Sequence, residues 1–102
     1  MRSKRSFDGV VLERLRLVPL LQALEALGLH VSRDSSFVPV RDPSTERWYV
    51  SVGAGVVELL VTGSKWFDAR DGKGGGGAID LAMHLFRLDF VNAVKRLTGA
   101  GL

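Results

Sequence analysis

Five of the chain's 12 glycines fall within residues 69–77, in the run Arg70-Asp71-Gly72-Lys73-Gly74-Gly75-Gly76-Gly77. Glycine loses more conformational freedom on folding than any other residue. Such a run therefore has a use where backbone takes φ > 0 or must approach another group closely. A helical pattern begins directly after it. A helix N-terminus offers unpaired N–H groups and a partial positive charge, and Arg70 and Lys73 stand just ahead of it. These features together suit a phosphate or a nucleic-acid backbone. The spacing excludes a Walker loop, because no GxxxxGK[ST] run is present. It also excludes the dinucleotide fingerprint, because the strands before it read as a meander and not as a βαβ unit. The other use of the glycines is a surface connection that lets a helix pack tightly on a sheet.

The remaining chemistry-bearing residues are few. His30 and His84 are the only histidines. Asp80 and His84 are spaced i, i+4 and would share a helix face, which reads as a surface pair, since two ligands alone do not make a metal site. Trp48, Trp66 and Phe67 offer rings on which bases could stack. Strand alternation lets only one of Trp66 and Phe67 face inward. There are no cysteines, which excludes a disulfide framework, thiol catalysis and thiolate zinc sites. No Ser/His/Asp arrangement and no paired carboxylates of the kind that hold magnesium stand out. The chain reads as a binding module and not as a complete enzyme, with no cofactor and no metal.

Periodicity supplies the elements that would position these groups. Asp8 is a candidate cap for a helix carrying Val10, Val11, Leu12 and Leu15. Pro19 opens a second helix over 19–27, with Leu20, Leu21, Leu24 and Leu27 as its apolar stripe and Gly28 as its terminator. Short strands are expected at 37–40, 47–52, 56–62 and Lys65–Asp68. Turn chemistry separates them at Asp42-Pro43-Ser44, Gly53-Ala54-Gly55 and Gly63-Ser64. A helix follows over 78–86, and Asp89 caps a last one over 90–97 with Phe90, Ala93, Val94 and Leu97 inward. The class is α+β: a small antiparallel meander of about four strands, flanked by N-terminal helices and two C-terminal helices. Residues 1–7 read as a flexible basic tail and 8–102 as one domain.

Length agrees, since 102 residues suit a single domain. The net charge of +3 resides in Arg2, Lys4 and Arg5, because the other 11 basic residues match 11 acidic ones. A basic tail on a neutral body is compatible with nucleic acid and equally with a solubilising terminus. No apolar run approaches the ~18 residues of a membrane span, and no signal-type apolar segment follows the basic start. A cytoplasmic address is expected.

Gly75-Gly76-Gly77-Ala78-Ile79-Asp80-Leu81, Met83, Leu88-Asp89-Phe90 and Ala93-Val94-Lys95-Arg96-Leu97 resemble the C-terminal half of the CHC-type zinc-binding domain of bacterial primases. Ser35-Ser36-Phe37-Val38-Pro39-Val40 is similar to that family's Pro-Ser-Phe strand. The resemblance spans about 24–97. The family binds zinc with three cysteines and one histidine. Alignment on the Gly-Gly pair puts the two turn cysteines at Ala69 and Gly72. Counting back from Phe37 puts the histidine at His30 and the first cysteine at Leu27. One ligand cannot hold structural zinc.

The resemblance therefore implies a zinc-finger-like fold without zinc, of the kind found in primase-like proteins of plasmids and other mobile elements. Stability would come from the 19–27 helix and from Trp48, Trp66 and Phe67, and a chelator is expected to leave the melting temperature unchanged. It implies binding of single-stranded DNA template in DNA replication or transfer, through Lys65, Trp66, Arg70 and Lys73. The catalytic Toprim domain would be separate. The alternative is an assembly module that docks a Toprim primase, polymerase, helicase or relaxase without touching DNA.

Overall fold

The computed structural model describes residues 8–102, so the basic residues at 1–7 lie outside it. Four helices and five strands follow in the order α1 (Gly9–Leu17), α2 (Leu20–Ala26), β1 (His30–Arg33), β2 (Glu46–Val52), β3 (Gly55–Thr62), β4 (Lys65–Asp68), β5 (Lys73–Gly76), α3 (Gly77–Phe86) and α4 (Phe90–Gly99). The strands form one antiparallel sheet in chain order, β1-β2-β3-β4-β5. The α+β meander is thus present, with one strand more than expected.

The helix ends follow from their residues. Asp8 accepts a hydrogen bond from the Val10 N–H at 2.9 Å, and Asp89 accepts from the Asn92 N–H at 2.8 Å. Each satisfies a donor the first turn leaves unpaired. Gly28, at φ +80°, ends α2. Its N–H donates to the Glu25 carbonyl and the Leu29 N–H to the Leu24 carbonyl, both at 3.0 Å, the paired bonds of a Schellman motif. Pro19 separates α1 from α2 and occupies the cap position of α2, where its missing N–H costs nothing.

Two strand assignments differ from the expectation. Residues 37–40 are apolar but form no strand. Asp34 and Asp42 each fold back on the serine two residues later, at 3.0 Å and 2.9 Å to its N–H. These two turns bracket the segment, and Pro39 removes a donor from within it. Val38 and Val40 are left 77% and 95% exposed. The strand that pairs with β2 is His30–Arg33 instead, a mostly exposed edge strand. The glycine run is likewise not an open loop. Lys73–Gly76 is β5, paired residue for residue with β4 from Asp68↔Lys73 to Lys65↔Gly76.

The core has two clusters. Leu20 and Leu24 of α2 and Leu81 and Leu85 of α3 pack on the inner sheet face, against Trp48, Val50, Leu59, Val61 and Trp66. Leu15 of α1, Ala23 of α2, Ala78, Ile79 and Ala82 of α3, and Ala93, Val94 and Leu97 of α4 form the second. Helix α3 belongs to both, which is why it is apolar over most of its circumference. Each fully buried leucine here contributes about 1.5–3 kcal/mol. Phe90, expected inward, stays 38% exposed.

Candidate functional site

Strand β4 alternates between two faces. Trp66 and Asp68 are buried and point to the helices, whereas Lys65 and Phe67 point outward. The alternation expected of the Trp66/Phe67 pair is therefore resolved with Trp66 inside. At 5% exposure its ring is not available for stacking on a base. It stacks instead on the His84 imidazole, with ring centroids 4.9 Å apart and planes at 28°. Its buried indole Nε1–H has no hydrogen-bond partner among the described residues, so packing holds the ring in place.

The glycines make room for that ring. A Cβ on Gly75 would lie 2.8 Å from Trp66 Cζ2 and 2.6 Å from Asp80 Oδ2, distances that no side chain tolerates. Gly75 faces Trp66 across the β4–β5 pair, and the indole occupies the space a side chain would have used. This is the tight sheet-to-helix passage, one of the two uses foreseen for the run. The anion-binding use at the helix start is disfavoured. Asp80 Oδ2 accepts the Gly76 N–H at 3.2 Å, and the Gly77 N–H donates to the Ser64 carbonyl at 2.8 Å. A carboxylate already stands at the mouth of α3, and a phosphate would meet its charge.

Asp80 and His84 share α3 but not a contact. His84 reaches across to β4, where its Nε2 lies 2.8 Å from Asp68 Oδ2. An ionised carboxylate only accepts, so Nε2 carries the hydrogen in this bond. Asp68 is buried and His84 is partly buried, at 7% and 14% side-chain exposure; the expected surface pair is replaced by one set into the sheet–helix junction. The other oxygen, Asp68 Oδ1, accepts the N–H groups of Arg70 and Asp71 at 3.2 Å and 3.3 Å. These bonds shape the β4–β5 turn and fix the carboxylate's orientation. Asp71 Oδ2 lies 3.9 Å from the same His84 Nε2. The inward position of Asp68 in an alternating strand was the available sequence signal, but its partner lies 16 residues away and no local spacing reveals it.

The outer face is different in kind. Phe67 is 42% exposed. A groove of about 670 Å³ runs beside it, lined by Leu60, Thr62, Lys65, Phe67, Phe37 and Arg41 among others. Lys65 is exposed on this face, Arg70 is exposed on the turn, and Lys73, paired with the inward Asp68, is exposed at the hairpin's end on the opposite face. Among the described residues none of these three, nor Arg41, forms an ion pair. By contrast Arg47, farther along the sheet, is neutralised by Asp34 and Glu58, each at 3.1 Å. No described helix is long and apolar enough to cross a membrane. Comparisons with family models, with curated proteins and with solved structures return no match to this chain.

Proposed function

We propose that this domain binds single-stranded DNA, as the template-binding module of a primase-like protein of a plasmid or other mobile element acting in the cytoplasm. One observation carries the reading: an exposed aromatic, Phe67, shares the outer face of β4 with Lys65, beside a groove that Arg41 also lines. Non-specific single-strand binding combines an aromatic platform with cations that follow the phosphates. Arg70 on the turn and Lys73 at the start of β5 add two exposed cations at the end of the β4–β5 hairpin, Lys73 lying on the opposite face, across from Asp68. The primase resemblance supports the same reading. The contact set becomes Lys65, Phe67, Arg70 and Lys73, with Arg41 added. Trp66 leaves it, serving as the core residue that holds β5 and α3 in place. The module itself performs no catalysis and works beside a separate Toprim, helicase or relaxase unit.

Fluorescence anisotropy with a labelled oligothymidine at ~50 mM salt, where electrostatic binding is strong, tests this. The expected result is saturable binding that weakens steeply with salt. Phe67→Ala should reduce affinity by about tenfold or more, in line with ~1–3 kcal/mol per stacked base. Arg70→Ala with Lys73→Ala should flatten the salt dependence. Absence of binding at this salt would overturn the proposal. The exposed Val38 and Val40 would then favour the second reading, a protein-docking face, to be checked by capture of a partner after nuclease treatment.

A further inference from the structure

The structure assigns a divalent transition-metal site to Asp68, Asp71 and His84, at the junction of β4, the β4–β5 turn and α3. One ligand atom from each lies within 4.8 Å of the other two. These are not the positions where the primase resemblance puts metal ligands, which here are Leu27, His30, Ala69 and Gly72. The site is a different one, and it stands independently of the DNA-binding reading.

Two carboxylates converge on one imidazole nitrogen in a partly buried corner, a mixed oxygen and nitrogen donor set of the kind a divalent transition metal takes. Lys73 lies opposite Asp68 in the β4–β5 register, yet neither it nor Arg70 forms an ion pair with either aspartate. A divalent ion would balance two carboxylates and a neutral imidazole. Geometry agrees. Metal–ligand distances of about 2.0–2.2 Å imply separations of about 3.3 Å between neighbouring ligands in a tetrahedral site. The observed distances to Nε2, 2.8 Å and 3.9 Å, bracket that value and all three ligand atoms lie within 4.8 Å of one another, so side-chain shifts on the order of an ångström would bring them onto one ion.

Pre-organisation is also present. The two backbone N–H groups on Asp68 Oδ1 leave Oδ2 as the oxygen that faces inward, as outer-shell bonds do for metal-binding carboxylates. The Trp66 ring, stacked on the imidazole, fixes its plane. Asp71 is 52% exposed and gives the ion a route from solvent. One nitrogen and two oxygens suit a first-row cation such as zinc or manganese better than magnesium or calcium. Solvent completes the coordination. The ion takes the place of the hydrogen on Nε2, which moves to Nδ1 or leaves as a proton.

This replaces the expectation of indifference to metal. The chelator-treated protein stays folded on its two apolar clusters, and zinc raises its melting temperature above that baseline. The test is thermal unfolding of the full chain, first dialysed against chelator and then titrated with zinc chloride, with magnesium as the control. The rise should grow with the logarithm of the zinc concentration, reaching on the order of 10 °C at a hundredfold excess over Kd. Cobalt(II) should give visible absorption bands on binding.

Asp71→Asn keeps the Asp68–His84 bond and the turn, and should fold normally while losing both responses. His84→Gln should lose them as well. The assignment is overturned if zinc does not shift the wild type, or if the shift persists undiminished in Asp71→Asn, in which case the ion binds elsewhere, for example at His30.

Discussion

Gly75 and Trp66 face each other on adjacent strands, and the edge of the indole fills the place where a Gly75 side chain would project. The pair explains why the chain accepts glycine in a strand, where glycine is costly. Gly75→Ala should destabilise the fold by about 1–3 kcal/mol, the usual range for overpacking, because a methyl group would collide with both the ring and the Asp80 carboxylate. Gly76→Ala is the matched control. Its backbone is extended at φ −143°, and a Cβ there meets only the Ser64 carbonyl, at 3.9 Å. Chemical denaturation of the two variants side by side should separate them clearly.

Arg87 ends α3 in the left-handed region at φ 54°, the only described residue other than glycine with positive φ. The Leu88 N–H still closes the helix on the Met83 carbonyl at 3.0 Å, so the conformation is imposed by the cap. Glycine is the residue this position favours. Arg87→Gly should raise stability by about 0.5–1 kcal/mol, the roughly 1–2 kcal/mol steric cost of a side chain in this region less the extra conformational entropy glycine loses on folding. An unchanged or lowered melting temperature would show that the Arg87 side chain contributes more than its backbone strain costs.

Asp34 joins a turn to the sheet. Its carboxylate accepts from Ser36 Oγ at 2.6 Å and from Arg47 Nε at 3.1 Å. The Ser36 hydroxyl and N–H, followed by Arg47, hold its pKa below the ordinary 3.8. A depressed folded-state pKa adds stability above the unfolded value and loses it as pH falls through the folded one. Asp34→Asn should therefore lower the melting temperature at neutral pH. The gap to wild type should hold down to about pH 5 and close as the pH is taken below 3.8. A gap that stays constant down to pH 2 would remove the carboxylate charge from the explanation.

Much of this architecture is legible in the residues, and the failures have physical causes. Asp8, Gly28 and Asp89 mark helix ends because capping is local chemistry. Alternation in 47–52 and 56–62 marks strands because one face is buried. His30–Arg33 escapes notice because an exposed edge strand has little apolar pattern to show. Lys73–Gly76 escapes because tertiary pairing with β4 overrides glycine's low strand propensity. Residues 37–40 mislead in the opposite direction, being apolar without a partner strand.

The site divides along the same line. Lys65, Arg70 and Lys73 are surface cations that composition and position suggest. The Asp68–His84 contact depends on how α3 crosses the sheet, and no spacing along the chain encodes that crossing. The i, i+4 pairing of Asp80 with His84 is locally sound, yet it loses to two better partners: the Gly76 N–H for Asp80, and the buried Asp68 carboxylate for His84.

The order of the five strands in the sheet is their order along the chain. Three of the four ladders can therefore zip from a tight turn, and only β1 joins its neighbour across a longer connection, residues 34–45. Domains assembled from such short-range pairings cross their folding barrier quickly. The slower event should be the landing of α3, which comes after all five strands and must dock on the sheet and on α1 together.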